Sequence, residues 1–322
     1  MMNFISSRSI DQAAERLSGA VIRTPTVFCP VLTDKLQRAV YLKLENLQIG
    51  GSFKARGVLN LFSALGKDMH GAKFVAVSGG NFGIAIGEAA RTFGADVTVI
   101  MPQSAPSSSV KRIRDTGSVV MVESDVNSAF ARARALEEKG YRVIDDCRDT
   151  LIAEGHGTLG LEFIADCPSL TDVIVAVGGG AMLVGVATAL KSIKPEIRVW
   201  GVETAGASSM YQAMQAGKPT KVDISSIIST LGVPVIDERM LAHAQRYVEE
   251  IVVVSDNDAI DGMISFGETA RLWVELASGA LLPAAAVIST KIAENAVIGL
   301  VVCGGNISYQ EMNKWVSFRQ SA

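Results

Sequence analysis

The chain has 322 residues, a formal net charge of -3 and 48% hydrophobic residues, enough for one large domain or two smaller ones with well-buried cores. The slightly acidic balance leaves no electrostatic footprint for nucleic acid or an anionic membrane, so the expected partner is a small molecule or a second copy of the chain. Cys29, Cys147, Cys167 and Cys303 have neither metal-ligand spacing nor the density of a disulfide scaffold, no charged leader with an apolar core opens the chain, and no apolar run is long enough for a membrane span, all of which fits the cytoplasm.

In chain order, β-rich apolar runs predict strands at 40–44, 74–77, 97–101, 119–122, 142–144, 173–177, 199–202, 251–254 and 298–302. Between them, apolar residues recur every three or four positions at 84–93, 107–116, 126–139, 183–193 and 256–277, which predicts helices. Pro106 before a serine-rich start suits the helix opening at 107. This alternation predicts an α/β fold with parallel sheets and helices on both faces. With no repeat and no linker, two domains would be interleaved: a small one over 45–146, and a large one made of 1–44 and 147–322. Ligands of such sheets bind beyond the carboxyl ends of the strands.

Four segments sit at such ends. Gly50-Gly51-Ser52-Phe53-Lys54 follows the first predicted strand. A lysine held in a tight turn beside an aromatic suits imine formation with a carbonyl cofactor, and the alternative is a surface lysine opening a helix. Ser78-Gly79-Gly80-Asn81-Phe82-Gly83 leads from a strand into a helix, where backbone N–H groups bind a carboxylate or phosphate or simply make a turn. Gly178-Gly179-Gly180-Ala181-Met182 lacks both the dinucleotide fingerprint and the P-loop lysine, so a phosphate without a nucleotide is expected there. Cys303-Gly304-Gly305-Asn306 closes the last predicted strand; the bland alternative for Cys303 is a small buried hydrophobe.

In order and spacing these motifs resemble the fold-type II pyridoxal-phosphate enzymes (tryptophan synthase β-like, two interleaved parallel-sheet α/β domains), and within them the serine/threonine dehydratase and serine racemase branch. The resemblance runs from Arg23-Thr24-Pro25 to Asn306. It implies pyridoxal 5′-phosphate on Lys54, with Phe53 beside the ring, Asn81 at its 3′-oxygen, Glu275 nearby and Cys303 facing the ring nitrogen. Gly178, Gly179, Gly180, Ala181 and Met182 resemble the phosphate cup, with Ala181 where the family usually has a fourth glycine. Ser78, Gly79, Gly80, Asn81 and Phe82 resemble the loop that holds the substrate carboxylate.

The implied activity is that of a dehydratase (ammonia-lyase) in amino-acid catabolism, acting on an L-serine, L-threonine or β-aryl substrate such as phenylserine. The substrate amine replaces Lys54, whose pKa the site is expected to lower. Freed Lys54 then takes the Cα proton, the β-hydroxyl leaves, and the product hydrolyses to a 2-oxo acid and ammonia. A neutral thiol at the ring nitrogen stabilises the carbanion less than an acid does and favours prompt loss of the β-group. The competing readings are a racemase and a binding-only sensor of an amino acid or the cofactor. The related racemases carry a serine acid where Gly79 stands; an intact Lys54, Asn81 and glycine loop argue against the sensor. The segments 202–209 and 230–233 resemble cation loops, with Glu203, Ser209 and the carbonyls of Ala207, Leu231 and Val233 around a potassium ion, since one carboxylate among neutral oxygens suits a monovalent cation. Phe82 is expected either to wall the substrate pocket or to pack beneath the loop. His70, His156 and His243 are read as structural. The resemblance implies a homodimer, and no regulatory domain is expected after Ala322.

Overall fold

The computed structural model describes residues 5–69 and 71–321. Strands β1 (Thr26–Phe28), β2 (Ala39–Leu44), β3 (Lys73–Val77), β4 (Asp96–Pro102), β5 (Val119–Glu123), β6 (Arg142–Val143), β7 (Asp172–Ala176), β8 (Arg198–Thr204), β9 (Glu250–Val254) and β10 (Val297–Val302) form two sheets. The larger runs β1-β2-β10-β7-β8-β9 and the smaller β5-β4-β3-β6. Every pairing is parallel except β1 with β2, where Thr26 faces Lys43 and Phe28 faces Tyr41. All nine expected strands are present. β1 was not expected, because three residues are too few for an alternation to register.

The central strands explain themselves. β7, Asp-Val-Ile-Val-Ala, is buried along its whole length, as a strand covered by helices on both faces must be. β5 lies at the edge of the smaller sheet and leaves Val119 and Val122 exposed. The expected helix over 256–277 is broken. Asp256–Ser265 runs into a π-helical turn, Phe266–Ala270, and Arg271 then takes a left-handed φ of 60°. Glu275 is extended before the short helix Leu276–Gly279. The break frees Glu275 from the helix, so its carboxylate reaches Asn81.

Beneath the site lies a buried charge network. Arg56, fully buried, donates Nε and Nη2 to Glu45 at 2.8 Å each, and Nη1 and Nη2 to Glu162 at 2.7 and 2.8 Å. Lys43 Nζ, equally buried, donates to Glu162 at 2.6 Å and to the Thr24 carbonyl at 2.8 Å. Paired forks of this kind are what make a buried arginine tolerable, and here they hold the helix Lys54–Leu65 in place. His243 is structural: its Nε2 accepts the Ile5 N–H at 2.9 Å and its Nδ1 lies 2.8 Å from the Arg239 carbonyl. His70 lies outside the described residues.

Candidate active site

The carboxyl ends of β2, β3, β6, β7 and β10 each feed a loop that contributes to one constellation. After β2, Gly50 and Gly51 adopt φ of 73° and 77°, which glycine takes without strain, and the chain turns into the helix headed by Lys54. This turn is fastened to the loop after β10. The Phe53 N–H donates to the Cys303 carbonyl and the Gly305 N–H to the Gly51 carbonyl, both at 3.0 Å. Asn306 Nδ2 donates to the Gly50 carbonyl at 2.7 Å. Residues far apart in sequence are thereby held within one backbone's width.

Lys54 Nζ donates to Asp146 Oδ2 at 2.5 Å, and both side chains are one-fifth exposed. The amine also lies 4.8 Å from the centre of the Phe53 ring. Burial alone disfavours the ammonium, but the Asp146 carboxylate outweighs it, and the pKa of Lys54 is raised above the ordinary lysine value. This corrects the expectation of a lowered pKa, which took account of burial and not of a carboxylate from the loop after β6. The Phe53 ring is met edge-on by His156, 4.7 Å between centres. His156 is fully buried with neither ring nitrogen bonded among the described residues, and burial, then Lys54, then Arg56 hold its pKa well below the usual histidine range.

Asn81 opens the helix after β3. Its amide donates to Glu275 Oε1 at 2.7 Å and Oε2 at 3.0 Å, and its Oδ1 accepts from Asn306 Nδ2 at 2.7 Å. Gly304 passes so close to this pair that a Cβ there would collide with Glu275 Oε1. Burial pushes Glu275 up to about 7 against the opposing effects of Asn81 and Lys54. Cys303 Sγ lies 3.2 Å from Ser278 Oγ, and burial, reinforced by Glu275, pushes its thiol up to about 12. It is neutral at physiological pH.

The glycine loop after β7 has no room for side chains. A Cβ at Gly178 would lie 2.9 Å from the Thr230 carbonyl oxygen, one at Gly180 would lie 2.7 Å from Met210 Cε, and one at Gly179 would collide with Cys147 Sγ. Gly180, at φ 90°, caps the helix Ala181–Ile193 without any side chain, and Ala181 and Met182 begin that helix buried. A bare glycine loop ahead of a helix N-terminus fits a phosphate. In the loop after β3, Ser78 Oγ accepts the N–H groups of Gly80 at 3.3 Å and Gly83 at 3.0 Å, shaping the turn. A Cβ at Gly79 would lie 2.7 Å from Ala105 Cβ, whereas Gly80 meets nothing nearer than Thr230 Cγ2 at 3.7 Å. Of the two expectations for Phe82, its burial fits packing beneath the loop: its ring, 4% exposed, belongs to the apolar core of the smaller sheet, with Ile113 and Val99.

Glu203, fully buried on β8, accepts the backbone N–H of Met210 at 2.9 Å and of Tyr211 at 2.8 Å. No lysine or arginine among the described residues pairs with it, and burial pushes it up to about 7. Ser209 Oγ beside it is buried with no partner among the described residues. An under-compensated carboxylate next to an orphaned hydroxyl fits a cation. Ala207 is buried in the same turn, folded back on Thr204, while Leu231 lies against Gly178 of the glycine loop.

Sequence reasoning missed Asp146, Cys147, Ser278 and the bridging part of Asn306. One signal pointed to the first two: they follow a predicted strand directly.

Relatives share this chain along most of its length. The L-threonine ammonia-lyase of Thermotoga maritima is 31% identical over 316 residues, 97% of this chain and 78% of that protein. The catabolic L-threonine dehydratase of Staphylococcus aureus is 30% identical over 313 residues, 95% of this chain and 90% of that protein. The structure of maize serine racemase superposes with a TM-score of 0.90 at 26% identity, covering 98% of this chain and 97% of that one. The model of the family described as pyridoxal-phosphate dependent enzyme matches residues 17–304, and the chain belongs to that family.

Proposed function

We propose that this chain is a dehydratase (ammonia-lyase) that converts a β-hydroxy amino acid of the L-threonine or L-serine type to a 2-oxo acid and ammonia. The names of the Thermotoga and Staphylococcus relatives support the reaction class. Bound pyridoxal phosphate supplies an electron sink for the pair left at Cα when its proton is removed. In this reading Lys54 binds the cofactor and, once displaced, moves the Cα proton at its Nζ. The amides of Gly178, Gly179, Gly180, Ala181 and Met182 hold the phosphate, and Asn81, Phe53 and Glu275 orient the ring. Cys303 offers an uncharged partner to the ring nitrogen. The N–H groups after Ser78 orient the substrate carboxylate. Two units, 45–146 and 1–44 with 147–322, close around this site, each built on one of the two sheets.

The observation that carries elimination over racemisation is at Gly79. Racemisation needs an acid on the face of Cα opposite Lys54. Position 79 has no side chain, and Ala105 leaves no space for one. Assaying 2-oxo acid and the D-enantiomer together, with L-serine and L-threonine, tests this: 2-oxo acid is expected as the main product, and dominant D-amino acid overturns it. The burial of Phe82 removes the support for a preference for β-aryl substrates.

The same reading places potassium at Glu203, Ser209 and the carbonyls of Ala207, Leu231 and Val233, and takes the enzyme to be a cytoplasmic homodimer of amino-acid catabolism. Among the described residues no helix is long and apolar enough to cross a membrane.

A further inference from the structure

We propose that Asp146 is a positioning residue: it is the resting place of the Lys54 amine in the apo-protein, and it thereby sets the pH at which the cofactor is captured. The inference rests on the reading of Lys54 as the cofactor-binding residue.

The geometry carries it. Asp146 stands in the turn between β6 and the helix Thr150–Asp166. That turn is shaped by Asp145, whose Oδ1 accepts the Cys147 N–H at 2.9 Å, and Cys147 is seated on Gly179 of the glycine loop. Asp146 therefore adjoins a side chain packed on the glycine loop and lies 2.5 Å from Lys54 Nζ. Among the described residues, its other oxygen is met by the Cys147 thiol, at 3.6 Å. Lys54 is the one cation paired with it among the described residues.

The other groups around Lys54 do not substitute for it. Cys147 shares the turn, Cys303 ends β10, and burial pushes both thiols above their usual value, so they are uncharged at neutral pH. His156, on the helix Thr150–Asp166, is held neutral by burial. Glu275, pushed up to about 7, is only part-ionised there and turns its carboxylate to Asn81. Arg56, two residues on, is committed to Glu45 and Glu162. Arg148 pairs with Asp145 and Asp237, not with Asp146.

Imine formation consumes a neutral amine, so a carboxylate that holds the ammonium opposes capture until the pH rises or the proton is handed on. The amine becomes neutral by releasing its proton to solvent, and no other reactant is needed.

The test uses the apo-protein and the rate of pyridoxal phosphate capture, followed by absorbance from about pH 7 to 12, a range that brackets a lysine amine raised above its ordinary value. In Asp146→Asn the pH midpoint of capture is expected to fall by about one to three units. Rates should converge with wild type at alkaline pH, where both amines are neutral. Asp146→Ser, smaller and also uncharged, should behave like the asparagine variant, and Asp146→Glu should stay near wild type. A midpoint unchanged in both uncharged variants overturns the proposal. If capture in wild type is indifferent to Lys54→Ala, the assignment of Lys54 fails and this inference fails with it.

Discussion

Asn81 donates one side-chain amide to both oxygens of Glu275, at 2.7 and 3.0 Å, across 194 positions of sequence. That contact joins the loop after β3 to the broken helix before Leu276, and it surrounds a carboxylate whose pKa is pushed from 4.5 up to about 7 by burial. Between those two values the folded apo-protein keeps a proton that the unfolded chain has released. The group's contribution to stability is therefore complete below 4.5 and is lost as the pH rises through about 7. Apo Glu275→Gln, which keeps an acceptor for Asn81 without the charge, is expected to be more stable than apo wild type at about pH 8, by up to roughly 3 kcal/mol. The two should be equal near about pH 4. Urea unfolding at both pH values measures this, and a gap that does not depend on pH contradicts it.

Arg56 holds two carboxylates in a fully buried fork. Arg56→Ala leaves Glu45 charged and buried without its partner, and should destabilise the protein by about 3–5 kcal/mol. Equilibrium unfolding reads this directly. A loss below about 1 kcal/mol, the range of exposed pairs, would show that the network is solvated.

Phe82 sits in the core of the smaller sheet. Phe82→Ala should therefore cost about 3–5 kcal/mol of stability while leaving the ratio of kcat/KM for threonine and threo-phenylserine unchanged. A fall in phenylserine turnover alone, with stability intact, would instead place the ring in the substrate pocket.

Glu203 and Ser209 predict activation by potassium, since one carboxylate among neutral oxygens suits a monovalent ion. Replacing sodium or Tris buffers by potassium should raise kcat, a chelator should have little effect, and Glu203→Gln should lose the potassium response. Strong inhibition by a chelator, reversed by magnesium, contradicts the reading.

How much of this was legible beforehand follows from the range of each interaction. β7 and β10 announce themselves as apolar runs rich in Val and Ile, and the glycines that follow them mark where a backbone must approach a ligand. Lys54, Asn81 and Cys303 were found because each lies in such a turn. Asp146 was not, because nothing local shows that the loop after the predicted strand at 142–144 folds back on Lys54. Overlooking that one partner reversed the expected direction of the lysine's pKa. The break at Arg271 was hidden by apolar spacing that continues through it, since nothing in that spacing marks the π-helical turn Phe266–Ala270 or the left-handed φ of Arg271. Phe82 follows a motif residue but turns to the core, a choice that depends on the register of the whole helix Asn81–Phe93 against β4.

The central claim is that Lys54 binds the cofactor and moves the Cα proton in a β-elimination. The most direct test is one experiment on purified wild type and Lys54→Ala, loaded with pyridoxal phosphate and given L-threonine and L-serine. Wild type is expected to be yellow and to release 2-oxo acid and ammonia in equal amounts. Lys54→Ala should lose the bound-cofactor absorbance and turnover together, with rate losses on the order of a thousandfold or more. Undiminished 2-oxo acid production by Lys54→Ala would contradict the account.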